Sequence, residues 1–243
     1  ITQTMKKNTR RKYLIPAVAC LVVMAGFVYS YFFASMAAGN ETRYVYIDTD
    51  DTVDSVYTKL ADVSSLNGME GFKTLVRHSH YADNIRTGRY AIKPGEGAFT
   101  VFRHMKNGLQ SPVSLTVPSV RTLDRLAAEL SKRLMVDSAA IYEALSDEAI
   151  CKKYGYDTAT VAALFIPNTY DIYWNVSVEK LLDRMKKENH NFWSGQREEK
   201  ARAMKLTPVE VTTLASIIDE ETANDGEKPM VAGMYYNRLM LRN

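Results

Sequence analysis

Three consecutive carboxylates, Asp219, Glu220 and Glu221, close the stretch TPVEVTTLASIIDEET. Carboxylates at one site can trade protons with a bond being made or broken. Their position is odd, because the C-terminal end of a helix dipole disfavours negative charge. The helix itself is well specified. Thr207 can cap it, Pro208 suits its first turn, and Glu210 completes a capping box. At 100° per residue, Val211, Ala215, Ile217 and Ile218 gather around Leu214. Glu221 falls in that face, about 20° from Leu214, while Asp219 and Glu220 turn away at about 140° and about 240°. One acid of the three is therefore predicted to point at apolar surface. Burial and the dipole would both raise its pKa and keep it protonated near neutral pH, as a general acid requires. The alternative is a frayed last turn with all three acids in water.

Other reactive side chains give weaker signals. His78 and His80 form H-S-H, without a third ligand at metal-site spacing, and a solvated loop is the expected setting. No metal and no cofactor is predicted. Cys20 lies in an apolar run and Cys151 is the only cysteine beyond it, so no disulfide between them is expected. Cys151, in DEAICKKYGY, reads as a half-buried helical residue rather than a nucleophile.

The elements that must position these groups follow from the rest of the 243 residues, 46% of them hydrophobic. That is enough for one large domain or two small ones. The net charge is +3. Lys6, Lys7, Arg10, Arg11 and Lys12 supply five positive charges in a tail without acids, so the remainder is net −2 and a nucleic-acid partner loses its support. From Tyr13 to Ala38 no residue is charged. A bilayer-spanning helix needs about 20 apolar residues. The basic tail before the run (1–12) and the acids after it (Glu41, Asp48, Asp50, Asp51, Asp54) place the N-terminus in the cytoplasm. Tyr29, Tyr31, Phe32 and Phe33 suit the outer interface. A cleaved signal peptide is the rival reading, since SMAAG offers small residues. Residues 1–4 precede Met5, a plausible start, and carry no structural meaning.

Residues 39–43 read as a short linker. The block 44–117 then reads as a small α/β module: a strand from Tyr44, a helix from Val53 capped by Thr52, a second helix in FKTLVRHSHYADNI, a strand, a Pro-Gly turn, a helix ended by Gly108, and the alternating strand PVSLTV. From Pro118 onward the pattern is mainly helical, broken by the aromatic loop ALFIPNTYDIYWNVS. The fold class expected is α+β.

At this point the residues resemble a family. TLASIIDEETANDGEKPMVAGMYYNRL (213–239) is similar to the signature of the YceG-like endolytic murein transglycosylases, also called MltG. Its pattern is an L-A-S-I-(V/I)-(E/D)-x-E-T helix, an acidic loop, and (K/R)-x-x-V-A-x-x-(F/Y)-x-N-R-L. ALFIPNTYDIYWN (163–175) resembles the family's F-x-(F/I)-P-(D/N)-T-Y segment, and residues 88–130 resemble its LysM-like module and the junction after it. The resemblance implies a single membrane anchor (13–38), a LysM-like module (44–117), and a lysozyme-like YceG catalytic domain (118–243). The family pattern continues past the point where this chain stops, at Asn243, so a truncated catalytic domain is expected.

The resemblance also implies a reaction. The family cleaves peptidoglycan glycan strands between N-acetylmuramic acid and N-acetylglucosamine, using the muramyl 6-hydroxyl as nucleophile and leaving a 1,6-anhydro end. One Glu then suffices as acid and base, and Glu221 aligns with the Glu of the motif. Asn237 and Arg238 could bond the sugar, or Arg238 could pair with Asp219 or Glu220. Asn168, Thr169 and Tyr170 could orient and stack a sugar, or Tyr170 could pack in the core. Ser216 lies at the edge of the expected cleft. The location implied is the bacterial cytoplasmic membrane, single-pass, with the catalytic part on the periplasmic side and cell-wall synthases as possible partners. A non-catalytic glycan-binding scaffold is the alternative. A membrane-bound chaperone fits the anchor but none of the motifs.

Overall fold

The charge-free run forms most of a 31-residue helix, α1 (Thr2–Phe32). The computed structural model describes the backbone of residues 2–242 and the side chains of residues 15–241. The basic side chains of Lys6 to Lys12 thus lie outside the described residues. Ile15–Phe32 has a mean hydropathy of 2.0 and is long and apolar enough to cross a membrane. Helix and sheet mix along the chain, with helix in the majority. Two compact units form: Ile1–Val113 with Tyr173–Asn175, and Ser114–Ile172 with Val176–Asn243.

In the first unit, β1 (Arg43–Ile47) pairs antiparallel with β2 (Gly88–Ile92), Arg43 opposite Ile92. Alternation sends Val45 and Ile47 into the core and leaves Tyr44 and Tyr46 outside. Helix α2 (Val53–Ala61) starts at Thr52, whose side chain accepts from the Ser55 N–H. Helix α3 (Leu66–Arg77) starts at Ser65, which accepts from the Gly68 N–H. It therefore begins before the predicted 72–85 segment and ends well short of it. Gly68 and Gly71 sit inside the helix, where other backbone passes close to them. A β-carbon at Gly71 would collide with the Tyr31 carbonyl, and one at Gly68 would crowd Met36. Helix α4 (Ala98–Asn107) ends at Gly108, whose φ of 70° is the left-handed C-cap that glycine permits.

The end of α1 departs from the sequence reading. The helix stops at Phe32, and the next residues are captured by the unit instead of continuing a span to Ala38. Ser35 bridges to Gly97 and Ala37 to Ser64. The Met36 N–H donates to the Glu96 carbonyl (2.8 Å), and the Met36 carbonyl accepts from Ser65 N–H (2.7 Å). Met36 is 0% exposed, in the same core as Ile47, Leu60, Phe72, Tyr81, Ile92 and Met105. Apolar residues after an apolar helix look like more of that helix in sequence. Here Met36 fills protein core instead.

The loop before α2 holds a charge cluster. Lys59 Nζ lies 3.0 Å from Asp48 Oδ2 and also contacts Asp51 Oδ2. The Asp51 side chain is only 7% exposed. Burial pushes the Asp51 pKa up, but hydrogen bonds from Lys59, Ser55 and the Asp48 N–H outweigh it and hold the carboxyl below its ordinary value. A folded pKa below the unfolded one (about 3.9) means the stabilisation is present above that value and lost as pH falls through the depressed one. The thermal stability of the first unit is expected to fall as pH drops below about 4, and Lys59→Met to flatten that dependence. Identical slopes in the two proteins would refute the role of the pair.

In the second unit, β3 (Val113–Val117) pairs with β4 (Asn168–Ile172). The alternation of PVSLTV is realised, with Leu115 and Val117 buried. Its partner is not in the 44–117 block but more than 50 residues on. The helices are α5 (Leu123–Ser131), α6 (Ser138–Ser146), α7 (Glu148–Tyr154), α8 (Val178–Trp193), α9 (Gln196–Ala203), α10 (Pro208–Glu221) and α11 (Lys228–Arg242). Asp137, Asp147 and Ser177 cap α6, α7 and α8 through their side-chain oxygens. Cys151 on α7 is fully buried, and its thiol donates to the Leu145 carbonyl (3.3 Å). Burial first, then nearby Asp147, pushes that thiol up, the opposite of an activated nucleophile.

Candidate active site

The capping box predicted at Thr207 is complete. Thr207 Oγ1 accepts from the Glu210 N–H (3.2 Å), and Glu210 Oε2 accepts from the Thr207 N–H (2.7 Å). These local bonds set where α10 begins, and so where its last turn presents Asp219, Glu220 and Glu221. The turn ends as Thr222 becomes extended. The loop beyond is knitted to itself. Thr222 Oγ1 and Asn224 Nδ2 both donate to the Glu227 carboxylate, at 2.9 and 3.2 Å.

A cavity of about 670 Å³ opens beside α10. One wall is α10 itself, through Thr212, Thr213, Ser216, Ile217, Glu220 and Glu221. The others are the segment between β3 and α5 (118–122) with Leu123 and Leu126 of α5, and the turn around Ala162, Phe165 and Pro167. A smaller hollow of about 500 Å³ shares Pro118, Ser119, Val120, Arg121 and Glu220 with it. Apolar surface, hydroxyls and two carboxylates thus face one space.

Buried Asn189 on α8 holds the far wall. Its Nδ2 donates to the carbonyls of Ala163 (2.8 Å) and Leu164 (3.2 Å), and its Oδ1 accepts from the Tyr156 hydroxyl (3.3 Å). A buried amide with both ends satisfied pins a turn that no regular ladder holds.

The three acids have three different partners. Asp219 pairs with Lys228 (2.8 Å), which also pairs with Asp225 (2.8 Å). The Asp219 and Asp225 carboxylates hold the Lys228 ammonium above its ordinary pKa. Glu220 pairs with Arg121 across the mouth of the cavity. Glu221 has no cationic partner among the described residues. Its Oε1 accepts from the Tyr235 hydroxyl on α11 (2.6 Å). That bond to a carboxylate, before burial, pushes the Tyr235 pKa up.

The predicted apolar trough around Glu221 is not sealed. Leu214 is the one buried residue of α10, Ile217 is exposed on the cavity wall, and Glu221 is exposed with Asp219 and Glu220. The apolar face of α10 turns partly to the cavity instead of to packed core, so burial does not desolvate the carboxyl.

The other predicted site residues are placed elsewhere. Tyr170 is buried, its hydroxyl donating to the Ile166 carbonyl (2.7 Å), which makes it core packing and not an open sugar platform. Asn168 and Thr169 are exposed on β4. Asn168 Oδ1 accepts from the Thr169 N–H, and Thr169 shares a hydrogen bond with Thr116 (3.0 Å). Their loop reaches the cavity through Phe165 and Pro167 instead. Asn237 and Arg238 are exposed on α11 and do not line the cavity. The Arg238 guanidinium lies 5.9 Å from the Tyr235 ring, while Asp219 and Glu220 take Lys228 and Arg121. Ser216 does line the cavity. Arg121 and Tyr235 were missed. Arg121 stands about 100 residues from α10 and carries no local signal. Tyr235 occupies the (F/Y) position of the motif, and that position was the available clue.

These features can be set beside known proteins. The model of the YceG-like family matches residues 45–242. The chain belongs to the YceG-like family. An endolytic murein transglycosylase of Streptococcus pneumoniae serotype 2 (strain D39) is 25% identical over 199 residues, covering 69% of this chain and 35% of that protein. The protein of the same description from S. pneumoniae strain R6 is 24% identical over 198 residues, with the same coverage. The chain spans about a third of the length of the curated relatives it matches. A solved YceG-like protein of Listeria monocytogenes is similar with a TM-score of 0.46 and 21% identity, over 83% of this chain and 71% of that one. The family assignment does not rest on that last likeness.

Proposed function

We propose that the second unit is the catalytic part of a lytic murein transglycosylase, with Glu221 as its single acid and base. The observation that carries this reading is the partnering of the three acids. Glu221 is the one that faces the cavity without a cation, so it can give up and regain a proton at no ion-pair cost. Membership of the family and the similarity to endolytic murein transglycosylases of S. pneumoniae support the substrate, a peptidoglycan glycan strand.

In this reading the strand fills the cavity and displaces water from Glu221, supplying the desolvation that the free protein lacks. Tyr235 donates to Oε1, which leaves the proton on Oε2. That proton passes to the glycosidic oxygen as its bond to the anomeric carbon breaks. The muramyl 6-hydroxyl then bonds to that carbon and gives its proton to Oε2, so the acid is restored. No water enters the bond-making step, and the intramolecular nucleophile gains from proximity. A two-carboxylate glycosidase needs a second acid for this role. Glu220, neutralised by Arg121, does not have to serve.

Tyr235→Phe is expected to lower kcat roughly tenfold with KM unchanged, because the lost bond orients the carboxylate and not the sugar. Release of anhydro-muramyl ends from murein, measured by mass spectrometry, checks this. A change confined to KM would place Tyr235 in sugar binding instead.

The wider arrangement proposed is a single-pass anchor in the cytoplasmic membrane (13–38), a LysM-like module (44–117) that binds glycan or orients the catalytic domain (118–243), and activity on the periplasmic side alongside cell-wall synthases. The apolar length of Ile15–Phe32 supports the anchor. Exposed Asn168, Thr169, Asn237 and Arg238 remain candidates for sugar contacts outside the cavity.

A further inference from the structure

The apolar helix does not hang from a linker. Its last turn is built into the first unit. The Tyr31 hydroxyl shares a hydrogen bond with Thr74 Oγ1 (3.2 Å), Gly71 lets α3 approach the Tyr31 carbonyl, and Gly97 backs onto Phe32 and Phe33. This packing half-covers Tyr31 and Phe32. It leaves Phe33 52% exposed.

Phe33 lies between two other exposed rings. Tyr29 stacks on it with centroids 6.4 Å apart, and Phe99 meets it at 6.0 Å. Tyr29 is 64% exposed and Phe99 42%. Phe99 is in the first turn of α4, so it belongs to the globular unit and not to the apolar helix. The three rings therefore form one aromatic surface that runs from the helix onto the folded unit. Exposed rings of this size are unfavourable in water, whereas a bilayer interface accepts their bodies and solvates a phenol tip.

We propose that the Tyr29–Phe33–Phe99 surface enters the lipid interface and seats the first unit directly on the bilayer. This rests on the reading that α1 crosses the membrane. Lipid is the occupant because the surface continues a span of mean hydropathy 2.0 that ends at Phe32, one residue before Phe33. The unit is then held at a fixed height and does not swing on a tether.

The test uses the full chain in vesicles of phosphatidylethanolamine and phosphatidylglycerol, with lipids brominated at defined depths as quenchers. Phe99→Trp and, separately, Phe33→Trp report on the surface, and Val22→Trp reports on the span. Each is read as the change over the unsubstituted chain, whose Trp174 and Trp193 give the background. The expected result is a blue-shifted emission for Phe99→Trp and Phe33→Trp, with quenching from bromines near the headgroup, while Val22→Trp is quenched from bromines deep in the chains. Solvent-like, unquenched emission from Phe99→Trp beside a quenched Val22→Trp overturns the proposal and leaves the span intact. If Val22→Trp is also unquenched, the anchor reading falls and this proposal with it.

Discussion

Glu221→Gln is expected to abolish anhydro-muramyl release, by about 10³-fold or more, while leaving the fold unchanged. Removing a general acid and base that acts on both half-steps costs on the order of 10²–10⁴ in rate. The substitution keeps the shape of the side chain and still offers an oxygen to the Tyr235 hydroxyl, so local geometry is preserved. Glu221 is exposed, and exposed substitutions change stability by no more than about 0.5 kcal/mol. The neighbouring acids are the controls. Asp219→Asn breaks a pair with Lys228, and Glu220→Gln breaks one with Arg121. Both pairs are solvent-exposed and worth little, about 0–1 kcal/mol, so most activity should survive in each. Full activity in Glu221→Gln with loss in either neighbour would move the acid to that neighbour. If no anhydro ends form with any variant or with the native chain, the non-catalytic scaffold becomes the better account.

Gly71→Ala is expected to destabilise the first unit by about 2 kcal/mol, the range for forcing an extra methyl into a packed contact. The sign is the informative part. Glycine inside a helix normally costs up to about 1 kcal/mol against alanine, so the same change elsewhere would stabilise. At Gly71 the added carbon meets the Tyr31 carbonyl and the Ala98 side chain. Backbone on one side and a packed methyl on the other cannot move aside cheaply. Gly26 in α1 is the internal comparison, since nothing lies near an added carbon there. Thermal unfolding in detergent, followed by circular dichroism, should show a lower midpoint for Gly71→Ala and an unchanged or higher one for Gly26→Ala. A neutral or stabilising Gly71→Ala would mean that α1 is not docked on α3 as described.

Much of the candidate site could be read from residues close together in the chain. Thr207, Pro208 and Glu210 announced the start of α10, and the structure completes their capping box. Counting 100° per residue from Leu214 singled out Glu221, and that residue lines the cavity, but so does Glu220, which the count had turned away. The same count also predicted a dry setting for Glu221, and there the wheel misled. A wheel shows which residues share a face, not what covers that face, and here the face opens partly to a cavity. Tyr170 was open to two readings for a related reason, and the structure shows it buried. An aromatic loop beside Asn and Thr suits sugar stacking, but whether a ring is open or buried depends on what the fold packs against it.

Composition, caps and periodicity thus determined by themselves that this chain carries an apolar helix, short alternating strands and a capped helix ending in three acids, and the resemblance of its motifs added the YceG-like family. These signals act within a turn of helix or a few residues of strand, so the sequence contains both partners. Tertiary structure alone decided that β3 pairs with β4, that Met36 belongs to a core and not to a span, and that Lys228, Arg121 and Tyr235 divide Asp219, Glu220 and Glu221 among them. Several of those partners are tens of residues apart, and Arg121 meets Glu220 across about 100. Which cation reaches which carboxylate is settled by the packing of whole elements, and with it which acid is left without one.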